Sequence, residues 1–478
     1  MKRFVWLVCM SLHLFSLAAQ SGKQGMSSVQ QIHQLLHRQL PKGSQVGISV
    51  YDLTADSVLY AYQADKLSHP ASTMKLLTTI TALAQEKADE PFRTEVWAQG
   101  IIRQDTLYGD LYVVGGFDPE FDEEMLDTLV RSVSDADFSV ITGQVYGDVS
   151  MKDSLYWGSG WLWDDNPSSF QPYLSPLMLC KGCVKVTAVP GQPGEAAMLQ
   201  CVPVSTYYQV ENRTVSKSQK AGRFRVTRNW LENGNRVMVS GSVEGRCTAS
   251  VNLHASQDFF MHTLAERLRA AGVVWQDASG ISYAFKEFRP DSVSLRLAVC
   301  ETPVAAVVKE IMKESDNLNA EALLCRLGAQ TTGEKHLSAE AGLSAIRALI
   351  RKLGYRPDDY NLADGCGLSN YNFISPELLV AFLRYAYSHT DVFQKLYKAL
   401  PIGGIDGTLQ YRMHPDTPSF RNVHAKTGSF TGINCLAGYL RAGSGHQLAF
   451  AIMNQNVLSG REARRFQDAV CDVLIRCF

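Results

Sequence analysis

Several things are scarce in this chain, and each scarcity excludes a class of function. Its 478 residues carry 46 Lys and Arg against 47 Asp and Glu, a net charge of −1. Neither an excess of positive charge nor a basic stripe interleaved with aromatics is present, so nothing points to nucleic acid as a partner. After the first 17 residues no segment approaches the roughly 20 apolar residues of a membrane-spanning helix. A mature form without a transmembrane span is therefore expected. Internal repeats and low-complexity tracts are missing, which argues against solenoids and linkers. Cys180-Lys-Gly-Cys183 lacks a second Cys-x-x-Cys or a matching His pair, so it does not read as a zinc site. A small disulfide-closed loop or two free thiols remain for that pair.

What is present begins with an export leader. Lys2 and Arg3 precede an apolar run from Phe4 to Leu17, followed by small residues at Ala18 and Ala19. A signal peptide over residues 1–19 is expected, hence an extracytoplasmic or periplasmic location. Cleavage removes Cys9 and leaves ten of the eleven cysteines, an even number in an oxidising compartment. Cys325, Cys435 and Cys471 lie in apolar contexts and read as small buried hydrophobes. With 46% hydrophobic and 19% charged residues the chain is globular, and its length calls for more than one domain.

Three short motifs carry the chemistry. Ser72-Thr73-Met74-Lys75 places an amine one helical turn from a hydroxyl, within reach of its proton. Ser72 is the only serine three residues ahead of a lysine. Pro70 just before it and Met74, Leu76, Leu77, Ile80 and Leu83 behind it describe the start of a buried helix. Ser315-Asp316-Asn317 lies between two amphipathic helical patterns, 303–314 and 319–330. Ser250-Val251-Asn252 also fits Ser-x-Asn, so the second motif alone would mislead. Lys426-Thr427-Gly428 precedes two strand patterns joined by a Gly-Ser-Gly turn, and so is expected on a sheet strand. In this order the three form the set of an active-site serine acyl-transferase of the penicillin-recognising kind.

Motif spacing sets the organisation. Ser72 and Ser315 stand 315 − 72 = 243 residues apart, whereas Ser315 and Lys426 are separated by 426 − 315 = 111. Short strand-like stretches punctuated by Gly, Pro and Asn fill the longer interval. The expectation is a discontinuous catalytic domain of residues 20–92 and 255–478, interrupted by a β-rich insertion, 93–254, built as two small domains. Strands are expected within it at 94–100, 110–114, 144–149, 184–189, 206–210, 223–229 and 236–242.

With these motifs in place, the chain resembles the class C low-molecular-mass penicillin-binding proteins, the D-alanyl-D-alanine carboxypeptidases/endopeptidases. The resemblance extends to Gly115-Gly116-Phe117-Asp118-Pro119, to Gly160-Trp161-Leu162-Trp163-Asp164-Asp165, and to Asp364-Gly365-Cys366-Gly367-Leu368-Ser369. In the last, Cys366 stands where that family usually has serine. The resemblance implies an α/β (α+β) serine β-lactamase/DD-peptidase-like catalytic domain, with an antiparallel sheet flanked by helices and a large β-rich inserted region. It implies Ser72 as nucleophile, Lys75 as its base, Ser315 as proton relay, and Asn317 orienting Lys75. Lys426 and Thr427 would bind the terminal carboxylate, and Gly428 belongs to that strand. Backbone N–H groups of Ser72 and Ser429 would hold the oxyanion. Asp148 would lie near the cleft and read substrate charge, or else serve a turn. Trp161 and Trp163 read as domain-core aromatics rather than substrate platforms, and His424 as a structural neighbour of Lys426. Peptidoglycan stem peptides are the implied substrate and β-lactams the implied covalent inhibitors, with no cofactor and no metal. A β-lactamase and a catalytically silent wall-binding protein are the alternatives; the long insertion argues against the first. Nothing in the pattern points to a particular oligomeric state.

Overall fold

In the computed structural model residues 27–275 and 283–478 are described, so the expected leader lies outside them. A five-stranded antiparallel sheet joins the two ends of the chain. Its order is His424–Phe430, Gly432–Arg441, Gln447–Val457, Gln45–Asp52 and Ser57–Tyr62. Side chains alternate between two cores, as a period of two requires. Leu436, Leu440, Leu448, Phe450 and Ile452 face the terminal helices Ser28–Arg38 and Gly460–Cys477. Ala437, Tyr439, Ala449, Ala451 and Met453 face the larger helical core. Both faces are covered, which is why 435–440 and 448–453 are each almost continuously apolar.

The helix Met74–Leu83 is buried at every position. Two of its three threonines bond to backbone carbonyls, Thr78 to Gly365 at 2.7 Å and Thr81 to Leu77 at 2.7 Å, while the Thr79 hydroxyl is buried without a partner. The expected helices around the second motif form as Val304–Lys313 and Asn317–Thr332.

The excursion extends past the boundary expected at residue 254. Strand Ser294–Thr302 pairs antiparallel with Phe92–Gln99, and the helix Ser256–Ala270 packs into the same second core. The strand closes a sheet edge that the Phe92–Gly115 hairpin leaves open, a pairing made across some 200 residues and invisible to local pattern. A single hydrophobic cluster runs through this region, from Val96 to Cys300, with a small satellite around Ala188 and Val243.

One helix here escapes the strand-rich expectation. Glu123–Ser134 is capped by Asp122, whose carboxylate accepts from the Met125 amide at 3.0 Å, and it buries Leu126, Leu129, Val130 and Val133. That i, i+3, i+4, i+7 spacing was present in the sequence. The strand expected at 206–210 forms instead at Gln209–Ser216. Thr206 is drawn out of any ladder because its amide donates to Glu266 at 3.0 Å.

All ten cysteines among the described residues are free, Cys180 and Cys183 included. No helix among the described residues is long and apolar enough to cross a membrane.

Candidate active site

Three separate pieces of chain converge on Ser72. The serine sits in the 3-10 turn Ala71–Thr73 that opens the buried helix, and Lys75 follows one turn later, fully buried. The Lys75 amine lies 2.9 Å from Ser72 Oγ, 2.6 Å from Asn317 Oδ1 and 2.7 Å from the Cys366 carbonyl. Two of these three partners accept only. A neutral amine has two N–H donors for them and one lone pair for the hydroxyl. Burial lowers the Lys75 pKa, against the opposing field of Cys366, Asp364, Asp316 and Glu321. The arrangement suits a base poised on the Ser72 proton.

Ser315 has a left-handed backbone, φ +62°, just ahead of the helix Asn317–Thr332. Asp316 caps that helix through the Asn319 amide at 2.9 Å. These constraints turn Ser315 toward Lys426, whose amine donates to Ser315 Oγ at 2.9 Å and to the Thr427 carbonyl at 2.9 Å. Lys426 is fully buried, and burial, then the neighbouring Lys75, lowers its pKa well below the ordinary lysine value. The Thr427 hydroxyl donates to Thr408 Oγ1 at 2.8 Å.

The strand His424–Phe430 is an edge strand, paired on one side with Gly432–Arg441. Its free edge meets the turn that carries Ser72. A Cβ added at Gly428 would lie 2.6 Å from the Pro70 carbonyl and 3.0 Å from the Ser72 amide. Glycine is required because two backbones touch there. Ser429, the next residue, is exposed. His424 stacks on Tyr397 with ring centroids 4.1 Å apart, the structural role expected of it.

Asp148 does not join this group. It is buried, and its carboxylate accepts from the Ser150 amide at 2.7 Å and the Phe288 amide at 2.9 Å. Those bonds pin the end of strand Val145–Asp148 to a distant loop, so of its two expected roles the turn is the one seen here.

The residues that sequence reasoning missed form the support of Lys75. Asp364 accepts from the Gly367 and Ser369 amides, from Asn372, and from Trp161 Nε1 at 3.0 Å. Glu321 accepts from the Gly365 and Cys366 amides at 2.9 and 2.8 Å. Together they fix the turn that presents the Cys366 carbonyl. Burial pushes the Cys366 thiol well above its usual range, so it behaves as a small neutral group. Glu321, Asp364 and Cys366 are the one metal-capable triad among the described residues, but backbone amides already take up the carboxylates and the thiol is protonated.

A second missed residue lies between Cys180 and Cys183. Lys181 reaches Asp316 at 2.6 Å and Glu120 at 2.9 Å. Burial alone would lower its pKa, but the two carboxylates overcome it and push it up to about 12. Asn317 Nδ2 in turn donates to the Phe170 carbonyl at 2.7 Å. The insertion thus braces the second motif at two points.

Glu321 also supplies a pH test. Burial, then Asp364, pushes its carboxyl up to about 7 from an ordinary 4.5. Between those values the folded chain holds a proton that the unfolded chain releases. Stability should therefore fall as pH rises from about 4.5 to 7, by about 3 kcal/mol in total. Glu321→Gln keeps the acceptor for both amides and removes the titration. Urea unfolding at pH 5 and pH 7.5 should show a smaller loss for the variant; parallel losses would exclude Glu321 as the source.

Comparison with known proteins agrees with this geometry. The model of the D-Ala-D-Ala carboxypeptidase 3 (S13) family matches residues 28–476. A D-alanyl-D-alanine carboxypeptidase of Actinomadura sp. (strain R39) is 28% identical over 469 residues, covering 95% of this chain and 86% of that protein. The D-alanyl-D-alanine carboxypeptidase DacB of Haemophilus influenzae is 26% identical, covering 87% and 86%. In fold the chain is similar to the crystal structure of penicillin binding protein 4 from Haemophilus influenzae, with a TM-score of 0.77 at 24% identity, covering 92% and 97% of the two chains. With its three motifs converging on one serine and the match running almost end to end, the chain belongs to the D-Ala-D-Ala carboxypeptidase 3 (S13) family.

Proposed function

We propose that this protein is an exported serine DD-peptidase, cutting D-Ala-D-Ala termini or D-Ala cross-links of peptidoglycan stem peptides through a Ser72 acyl-enzyme. The observation that carries this reading is the buried Lys75 amine, 2.9 Å from Ser72 Oγ and fixed by two carbonyl-type acceptors.

The steps follow from the groups present. Neutral Lys75 takes the Ser72 proton as Oγ attacks the penultimate carbonyl. Charge develops on the carbonyl oxygen, and the backbone N–H groups of Ser72 and Ser429 receive it, a contribution of about 3–4 kcal/mol per donor in comparable acyl transfers. The C–N bond breaks as Ser315, bonded to Lys426, gives its hydroxyl proton to the departing amine and regains the one that Lys75 took from Ser72, which leaves Lys75 neutral again. Lys426 and Thr427 hold the terminal carboxylate, whose negative charge favours the protonated form of Lys426. Asn317 orients Lys75 and a substrate amide. Water then cleaves the ester. A free D-alanine leaving group makes the reaction a carboxypeptidase step; a cross-linking amine makes it an endopeptidase step. A β-lactam ring opens on Ser72 with no departing amine, leaving a persistent adduct.

The test is D-alanine release from an N-acylated L-Lys-D-Ala-D-Ala tripeptide, and cleavage of a muropeptide dimer, by native protein and Ser72→Ala. Loss of both activities and of penicillin labelling in the variant is expected. Equal activity in the two proteins would overturn the assignment. Rapid β-lactam hydrolysis by native protein would favour a β-lactamase.

A further inference from the structure

Trp161 and Trp163 lie two residues apart and meet opposite fates. Trp161 is 7% exposed and bonded to Asp364, whereas Trp163 is 65% exposed. Trp163 does not stand alone. It meets Trp230, 67 residues later, with ring centroids 5.0 Å apart and planes at 41°. Each tryptophan sits on its own 3-10 turn, Trp163–Asp165 and Trp230–Glu232. Around them lies an open groove of about 470 Å³, lined also by Leu155, Tyr156 and Leu231, with Ser154 and Asn233 exposed among them. Leu155 and Leu231 are themselves largely exposed, at 67% and 73%. A concentration of this kind on a water-facing surface marks a binding site.

We propose that the Trp163–Trp230 pair is a platform for the glycan strand of peptidoglycan. The proposal rests on the reading of peptidoglycan as substrate. Sugar rings offer C–H groups on one face and hydroxyls at the rim. The electron-rich faces of two tryptophans match the first, and Ser154 and Asn233 can bond the second.

Continuity with the catalytic centre selects this occupant. The segment that carries Trp163 is tied to that centre at both ends. Trp161 bonds Asp364, which holds the turn supporting Lys75, and the Phe170 carbonyl accepts from Asn317. Phe170 lies seven positions after Trp163, so the platform lies at most about 25 Å from it, and nearer because the segment is turned. A stem peptide of five residues spans roughly 17 Å. The two lengths are of the same order, which makes the sugar of a stem engaged at the catalytic centre the occupant to test on this face. A second copy of the chain would need roughly 800 Å² per partner, a broader surface than this groove.

The experiment measures binding of peptide-free glycan strands to full-length mature protein carrying Ser72→Ala, so no turnover is involved and failure of the peptidase reading leaves the measurement intact. Adding Trp163→Ala and Trp230→Ala should weaken glycan binding at least 10-fold. The same two substitutions in native protein should leave D-alanine release from the tripeptide within twofold. Trp163→Phe should retain glycan binding, and Trp163→Leu, apolar but without a ring, should lose it. Equal binding by platform-intact and platform-free proteins would overturn the proposal. So would a parallel loss of tripeptide turnover, or a wild-type dimer that the double substitution dissociates without changing glycan binding.

Discussion

Replacing Lys75 by methionine is expected to slow acylation of Ser72 by about 10³- to 10⁴-fold, the upper part of the range of a positioned general base. Methionine has similar length and no proton to exchange. The loss corresponds to about 4–5.5 kcal/mol of transition-state stabilisation. Methionine also leaves the Asn317 amide oxygen and the Cys366 carbonyl without their donor, in a place closed to water. Unpaired buried acceptors cost about 1–3 kcal/mol each, partly offset because a desolvated amine is removed. The measurement is the rate of covalent labelling by a fluorescent penicillin, with the adduct located by mass spectrometry. Labelling within 10-fold of the native rate would remove Lys75 from the role of base. In native protein the rate should fall as pH drops through the lowered Lys75 pKa, placing the acid limb below the ordinary lysine range.

Gly367→Ala is expected to damage stability and acylation together. Gly367 has φ +81°, and a Cβ there would lie 2.0 Å from the Ala71 carbonyl oxygen and 2.9 Å from Met74 Cβ. The left-handed backbone alone costs an alanine about 1 kcal/mol. Overlap with a rigid backbone raises the total to about 3–4 kcal/mol, since neither neighbour is the tip of a flexible chain. Ala71 adjoins Ser72, and Cys366 next to Gly367 supplies a Lys75 acceptor. Displacement of about 1 Å at such a place lowers the acylation rate roughly 10²-fold. Gly333→Ala is the control. Gly333 has φ +70° and open space around its Cβ position, so it should cost about 1 kcal/mol and leave acylation unchanged. Thermal unfolding with penicillin labelling separates the cases. Equal behaviour of the two variants would mean that contact with Ala71 does not matter.

Much of the site was legible because its chemistry is local. Ser72 and Lys75 lie one turn apart on a helix, and that spacing alone puts an amine beside a hydroxyl. The strand of Lys426 and the helices flanking Ser315 follow from short-range periodicity and formed where expected. Asp148 shows the opposite case. Its motif context left a charge reader and a turn residue both open, and only the structure shows its carboxylate bound by backbone amides from residues 150 and 288. Cys180 and Cys183 drew attention as thiols, while Lys181 between them makes the contact that matters. The second core was mislaid at its edge because strand Ser294–Thr302 finds its partner some 200 residues away.

The sequence by itself determined the Ser72–Lys75 pair, the order of the three motifs and the long excursion between the first two. Those depend on residue type and on separations of a few positions. Only the tertiary structure decided what holds the amine ready: the Cys366 carbonyl arrives from 291 residues away, on a turn tied down by Asp364 and Glu321. It also decided that Trp161 is core and Trp163 is surface. Side-chain spacing is fixed by the helix and the strand, whereas burial and backbone hydrogen bonds across hundreds of residues exist only once the chain has closed on itself.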